Sequence, residues 1–561
     1  MSDRDSSVDA VVVGAGAGGG VVAKELATAG WNVLLLERGP WLKSQSFGHC
    51  ELRYSFTSGR VNVPFGPEPG EVRTVRRDSN APSQVVHPRD PLYGTLPACV
   101  GGGTVYYGAH AWRFHPETFH LKSYVGHVPG ANLEDWPITY DDLEPYYEKA
   151  EYDIGVSGDA SPFGPPRRKP LPLPPIPDNK EAELLYPAAR RLGWKPFHAP
   201  VAILSQPYRG RSACIHCAFC NGFGCEVGAK SSTLVSVIPE ALKTGNCRLI
   251  PHAFVREITV DGRGRPDGVI YQVKGSSTWK KVSAHVVVVC CSATETPRLL
   301  LNSKSKFFPA GIGNEHDQVG RNIENDGGQF VYGLFDQIAT DLVGPGVCLG
   351  LDDFQFRDFG GQENSSGGKL AHGIIGNYHT RPPLGFIQRV HLPQGVPEFG
   401  QGLKDFYNRY YLRSIWLYST CHTYPRYENR VDVDPKVRDE RGVPVSRITY
   451  HQHSRNAEEE QFMLDRCEEL LQETGAHTVF KPRVVRETEA GISTHQQGSC
   501  RMGKDPKISV TDRVGRVHGV PNVYVADGSL LPNPAGSNPS LTIQALAYWV
   551  SDHIVRSGRG V

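Results

Sequence analysis

At 561 residues the chain is too long for one hydrophobic core, so at least two domains or a large composite are expected. Basic and acidic residues nearly cancel, 60 against 59 for a formal net charge of +1, and no basic tail or stripe occurs, which argues against nucleic acid as a partner. The longest apolar runs, such as 286–291, have strand length rather than membrane-span length, and 61 Gly with 43 Pro predict many turns and long loops.

Residues 1–5 are acidic-polar and lack the charged-then-apolar pattern of a signal peptide. Cytoplasmic folding is therefore expected, with periplasmic export alongside a signal-bearing partner as the alternative. Residues 8–13 read as a buried strand, followed by Gly14-Ala15-Gly16-Ala17-Gly18-Gly19 and a helix carrying Val21, Val22, Ala23 and Leu26. A second strand over 31–36 ends at Glu37. Gly14 permits the tight turn, Gly16 lets the backbone approach a pyrophosphate, and Gly19 allows close helix–strand packing. The helix N-terminus offers unpaired N–H groups to the phosphates. Glu37, eighteen residues after Gly19, is placed to accept from ribose hydroxyls and favours an unphosphorylated ribose. The fingerprint alone does not distinguish NAD from FAD.

Residues 158–177 are Pro-rich and read as an exposed connector. A helix is expected over 181–191, kinked or interrupted at Pro187. Four of the 13 cysteines, Cys214, Cys217, Cys220 and Cys225, then fall within twelve residues as C-x2-C-x2-C-x4-C. In a reducing compartment such spacing favours metal or cluster ligation over disulfides. An iron–sulfur cluster, zinc and a metal-free thiol loop are the three readings.

Residues 247–303 look like strands returning to the first domain, with 286–289 a short, fully apolar one. From 330 to 485, aromatic and β-branched segments suggest a sheet covering the cofactor, and 458–473 reads as its clearest helix, with Phe462, Leu464, Leu470 and Leu471 apolar. Trp416, Tyr418 and Tyr424 are candidates for lining a ligand site or for the core. Near the C-terminus, His495 is a candidate proton acceptor, and Asn538 is its polar partner or an Asn-Pro turn residue. Residues 523–528 read as a strand leading to a helix start, where Asp527 contacts a cofactor or caps the turn.

Several segments together resemble the glucose–methanol–choline (GMC) oxidoreductases. Cys99-Val100-Gly101-Gly102-Gly103-Thr104 is similar to the family's Gly-rich flavin loop, and 292–303 to its second signature, with Lys304 where a Gly usually ends it. Asp135-Trp136-Pro137-Ile138, Tyr146, Tyr147 and Gly320-Arg321-Asn322 also match family segments, as do the blocks around His495 and Asn538. The resemblance runs from about residue 8 to the end and is weakest over 330–420.

What the resemblance implies is a mixed α/β fold: a Rossmann-like FAD-binding domain assembled from 1–130, 205–329 and 486–561, a connector at 131–204, and a sheet-based substrate domain over 330–485. Gly102, Gly103 and Thr104 would join Gly14, Gly16, Gly19, Glu37, Asp527 and Asn538 around FAD. Tyr107 stands where some members carry a flavin-linked His, so noncovalent FAD is expected, with His110 as the rival attachment point.

The family's chemistry makes His495 the base for an alcohol proton while hydride leaves for flavin N5, with Asn538 bonding the substrate oxygen. The His–Asn pair resembles pyranose oxidases and related sugar dehydrogenases, implying oxidation of a secondary alcohol of a sugar or glycoside. The Cys loop is similar to a cluster-bearing loop of the gluconate and glucose dehydrogenase branch, which tilts the expectation toward a non-oxygen acceptor. A small subunit or a cytochrome on a separate chain would then take the electrons, since no C-x-x-C-H motif is present. The alternatives are an oxidase making peroxide, a lyase with structural FAD, and an inactive flavin-binding protein.

Overall fold

The structure is a computed structural model, and it describes residues 7–54, 66–88, 90–357, 369–378, 383–389, 392–484, 492 and 494–559. The expected acidic-polar N-terminus lies outside them. The valine-rich runs form the centre of a seven-stranded sheet among the described residues. Strand β1 (Ser7–Val13) pairs in parallel with β2 (Val33–Leu36) on one side and with Lys280–Val289 on the other. Val523–Val525 and Cys247–Ile250 extend the parallel part, and Ala253–Val260 with Pro266–Val273 add an antiparallel edge. Both faces of the central strands are covered, which is why they are continuous apolar runs rather than alternating ones.

Helix α1 (Ala17–Thr28) follows β1 and buries Gly18, Gly19, Gly20, Val21, Val22 and Leu26. Behind it lie the C-terminal helix Ser540–Ser557 and the helix Tyr140–Ile154, the latter opened by a Thr139/Asp142 capping box. The last two are tied by Tyr147 Oη and Thr542 Oγ1 at 2.7 Å and by Tyr146 Oη donating to Asp552 at 2.6 Å. The helix Lys180–Arg191 runs through Pro187 without interruption.

A second, antiparallel six-stranded sheet stands over the first at the carboxyl ends of its strands. Its central strand, Ser414–Cys421, shows period-two packing: Ile415, Leu417 and Cys421 face the helix Asn456–Glu473, while Trp416 and Tyr418 point to the opposite side. Trp416 stacks on Tyr332 in the core and Tyr424 donates to the buried Glu459, so of the three candidate aromatics only Tyr418 lines the cavity described below. No helix among the described residues is long and apolar enough to cross a membrane.

Candidate active site

One cavity of about 600 Å³ runs from the carboxyl ends of β1 and β2 to the underside of the second sheet. At one end it is lined by Gly14, Gly16, Gly18, Glu37 and Arg38, and at the other by His495, Asn538, Asp326, His110 and Tyr418. Gly102, Gly103, Thr104, Cys291 and Asp527 line the stretch between.

Gly14 makes a tight turn and Gly19 sits in close helix–strand contact. Gly14 has φ +97°, and a Cβ there would lie 2.3 Å from the carbonyl oxygen of Cys290. Gly19 abuts the Gly14 carbonyl at 1.8 Å in the same test. Gly18, given no role in the sequence reading, is equally constrained by the Ala526 carbonyl at 1.8 Å. At Gly16 and Gly103 an added Cβ meets no protein atom within 4 Å, so their open faces belong to the cavity. Gly102 packs over Gly16 at φ +51°, and Thr104 hydrogen-bonds the Gly101 carbonyl and accepts from the Thr233 N–H at 3.1 Å.

Glu37 is buried and its two oxygens accept from the N–H groups of Ala15 and Gly39 at 2.9 and 2.8 Å. Burial pushes its carboxyl up, against those two hydrogen bonds. Asp527 does cap the following turn, accepting from the Ser529 N–H at 2.8 Å, and it also accepts from the Ser292 N–H at 3.0 Å while bordering the cavity. Next to the Glu37 end sits a buried ionic cluster. Burial alone would raise the Glu295 carboxyl, but Arg73, Arg298 and Arg38 hold it well below the ordinary range. An elongated cavity whose walls are bare glycine backbone and a helix N-terminus, closed by a buried acid at one end, fits a dinucleotide cofactor.

At the opposite end a two-residue ladder does the positioning. Glu324–Asn325 pairs antiparallel with Gln496–Gln497, Glu324 opposite Gln497 and Asn325 opposite Gln496. The next rung brings Asp326 beside His495, with Asp326 Oδ2 3.3 Å from His495 Nδ1. On the other side of the ring, Asn538 Nδ2 is 3.1 Å from His495 Nε2. Asn538 is held where the chain enters the C-terminal helix: Gly536 has φ +60°, and a Cβ there would lie 2.6 Å from both the His372 carbonyl and His422 Nδ1. The carboxamide oxygen of Asn538 is buried and has no hydrogen-bond partner among the described residues. The two predicted reactive residues thus meet, and Asp326 is the member that sequence reasoning missed. Its only advance signal was its place four residues after the family-like Gly320-Arg321-Asn322.

A second imidazole faces the same cavity. His110 Nδ1 is 2.9 Å from Tyr418 Oη, and burial together with nearby His495 lowers its pKa to about 3, so it stays neutral at physiological pH. Tyr107 also lines the cavity and spends its hydroxyl on the Ser231 carbonyl at 2.5 Å.

Among the described residues the four cysteines of the loop do not converge as a ligand set. Cys214, Cys217, Cys220 and Cys225 border a cavity of about 20 Å³, room for a water molecule and too small for an iron–sulfur cluster. Among the described residues no three His, Cys, Asp or Glu side chains converge as metal ligands. Burial instead pushes the Cys214 thiol up to about 11 and the Cys220 thiol up to about 12. The loop is organised by Lys230, whose ammonium donates to the carbonyls of Tyr107, Cys220 and Phe223 at 2.6–2.9 Å.

A Rossmann-type cradle for a dinucleotide cofactor thus faces a histidine–asparagine pair. The chain belongs to the GMC oxidoreductases: residues 98–326 and 425–547 match the N- and C-terminal models described as GMC oxidoreductase. It is 31% identical to paromamine 6'-oxidase of Streptomyces fradiae, covering 100% of this chain and 92% of the relative. It is 28% identical to the gluconate 2-dehydrogenase flavoprotein of Pantoea cypripedii, covering 99% and 94%. The crystal structure of pyridoxine 4-oxidase from Mesorbium loti matches 97% of this chain and 98% of its own with a TM-score of 0.61 at 14% identity, a likeness of fold. The chain is thus an oxidoreductase acting on CH–OH donors, with FAD as its cofactor.

Proposed function

We propose that the protein oxidises a carbinol of a sugar or glycoside to the carbonyl, with His495 as the base and noncovalent FAD as the oxidant. The observation that carries this reading is the convergence of His495 and Asn538 at 3.1 Å on the wall of the cofactor cavity. FAD, when bound, supplies the acceptor for the hydride leaving the carbinol carbon. His495 Nε2 takes the hydroxyl proton, and Asn538 hydrogen-bonds the substrate oxygen without competing as a base. The neutral His110 and Tyr418 hydroxyl add polar contacts for further hydroxyl groups, and Phe330 and Tyr378 offer apolar faces on which a sugar ring can rest. A sugar-like substrate is supported by the printed names of the relatives, which act on paromamine and gluconate. A secondary alcohol remains our first choice of reacting group, from the resemblance of the His–Asn pair to pyranose oxidases.

Noncovalent FAD is supported by Tyr107, whose phenol is already engaged, and by His110, whose Nδ1 is taken up by Tyr418. The preference for a non-oxygen acceptor rested on a cluster in the Cys loop, and the loop's small cavity removes that ground. The paromamine relative, named an oxidase, moves the reading toward oxygen. A small subunit or cytochrome as acceptor is the second reading, favoured by the gluconate dehydrogenase flavoprotein. Anaerobic mixing with a panel of sugars and aminoglycosides tests both. Substrate should bleach the visible flavin band, and a protein whose flavin no alcohol bleaches refutes the proposal. Admitting air then separates the acceptors: rapid recovery with peroxide means oxygen, and persistent bleaching means a partner.

A further inference from the structure

We propose that Asp326 is the positioning residue of the active site, fixing His495 in the tautomer that carries its proton on Nδ1 and leaves the lone pair on Nε2. The same carboxylate balances the charge that appears on the imidazole when Nε2 takes the substrate proton. The inference rests on the reading of His495 as the base.

Three observations carry it. First, the Asp326 side chain has no solvent exposure, and its Oδ2 lies 3.3 Å from His495 Nδ1. That contact falls short of ideal hydrogen-bond geometry, and Oδ2 has no hydrogen-bond partner among the described residues. Leaving a buried carboxylate oxygen bare is costly, so an N–H on Nδ1 is the favoured occupant. Catalytic hydrogen bonds that are long in a free enzyme commonly tighten when substrate arrives.

Second, the carboxylate is not free to turn away. Its Oδ1 accepts from Gln497 Nε2 at 3.0 Å. The two following glycines are pressed on the strand Ser414–Cys421: a Cβ at Gly327 would lie 2.6 Å from Cys421 Sγ, and one at Gly328 1.9 Å from the Ser419 carbonyl oxygen. The ladder adds that the residues next to each, Asn325 beside Asp326 and Gln496 beside His495, are paired through their backbones, which sets how the two side chains approach.

Third, the far side of the ring agrees. A neutral imidazole has one donor and one acceptor nitrogen. With the proton on Nδ1, Nε2 is the acceptor, and Asn538 presents its NH2 to it at 3.1 Å. The opposite tautomer would set a lone pair against the carboxylate. Among the described residues the groups around the ring include Asp326 from the 324–328 segment, Asn538 from the turn before the last helix, and His110, which feels the charge of His495 across the cavity. His110 and Asn538 carry no charge at physiological pH, so Asp326 is the group that answers the new positive charge.

The test is a double-mutant cycle with a direct view of the ring. Anaerobic flavin reduction is timed for wild type, Asp326→Asn, His495→Ala and the double variant, with any alcohol that bleaches the wild type. FAD content and melting temperature check the fold, and Asp326→Glu is a second variant that keeps the carboxylate. With His495 present, Asp326→Asn should slow reduction by about 100-fold, within the range a general base supplies. In the His495→Ala background the same change should cost less than about twofold, because Asp326 acts through the imidazole. Asp326→Glu should recover part of the rate.

Independently of turnover, ¹⁵N-histidine spectra of the wild-type protein should show the His495 resonance, identified by its loss in His495→Ala, protonated at Nδ1. In Asp326→Asn the Nε2–H form should grow. Equal losses in both backgrounds, no loss in either, or an unprotonated Nδ1 in the wild type overturns the proposal. If His495→Ala alone reduces at the wild-type rate, the base reading itself has failed, and that result is read without any Asp326 variant.

Discussion

Gly16 and Gly18 stand two residues apart at the start of α1, and the structure predicts opposite consequences for the same change. In Gly18→Ala the new Cβ would lie 1.8 Å from the Ala526 carbonyl oxygen, against an ordinary contact of at least 3.4 Å. Helix α1 and the segment before Asp527 must part by the difference, about 1.6 Å, and overpacking of that kind costs about 1–3 kcal/mol. Both elements border the cofactor cavity, so the displacement opens the cradle. The free protein can relax that strain by letting α1 move, whereas binding FAD requires closure. Part of the cost therefore falls on affinity, about tenfold or more in Kd.

In Gly16→Ala the Cβ meets no protein atom within 4 Å, and φ is −79°, which any residue adopts. The apoprotein should then melt at or slightly above the wild-type temperature, while the methyl group occupies space the cofactor needs. The assay pairs the flavin-to-protein absorbance ratio after gel filtration with thermal unfolding of each apoprotein by circular dichroism. Gly18→Ala should lose both flavin and stability, and Gly16→Ala flavin only. Equal destabilisation of the two apoproteins, or full flavin retention by Gly18→Ala, would refute the reasoning.

Three further outcomes follow from the buried polar groups. The Glu324 carboxyl, pushed up to about 8 by burial with Oε2 unpartnered, holds a proton that the unfolded chain releases near 4.5. The folded state binds more protons in that window, so stability falls as pH rises from about 4.5 through about 8, by on the order of a few kcal/mol from this group. Glu324→Gln should flatten the decline in melting temperature between pH 5 and 8.5, and parallel curves would count against it. Glu37→Gln keeps one acceptor for the Ala15 and Gly39 N–H groups and loses the other, which should cost about 1–3 kcal/mol in chemical denaturation and raise the Kd for FAD. Tyr418→Phe leaves His110 Nδ1 without its partner; the expected sign is a rise in KM larger than any fall in kcat, and an unchanged KM would separate Tyr418 from substrate binding.

The cofactor half of the molecule was legible in the sequence because its signals are local. A strand, a Gly-rich turn, a helix and a second strand ending in an acid occupy about thirty consecutive residues, and the turn geometry forces glycine where a side chain would strike backbone. The second sheet was readable from its aromatic and β-branched segments and its helix from the helical period, and the helix Lys180–Arg191 continues through Pro187 without interruption. His495 and Asn538 were found through flanking motifs rather than through any property of a lone His or Asn.

The cysteine spacing left three readings open. C-x2-C-x2-C-x4-C is a ligand pattern only if the chain folds around a metal, and here it folds around the Lys230 ammonium, leaving a cavity of about 20 Å³ among the thiols. The partnership of Asp326 with His495 had no local signal either, since the two lie 169 residues apart and meet through the register of a two-residue ladder. Gly18 could not be ranked with Gly14 and Gly19 until Ala526, from the far end of the chain, was seen against it. The sequence by itself determined which backbone turns were allowed, which strands were buried and that a dinucleotide cradle would form, because those depend on dihedral limits and short periodicities. Only the tertiary structure decided which carboxylate faces His495 and how the four thiols sit around Lys230, because such contacts depend on the register between segments that no local pattern encodes.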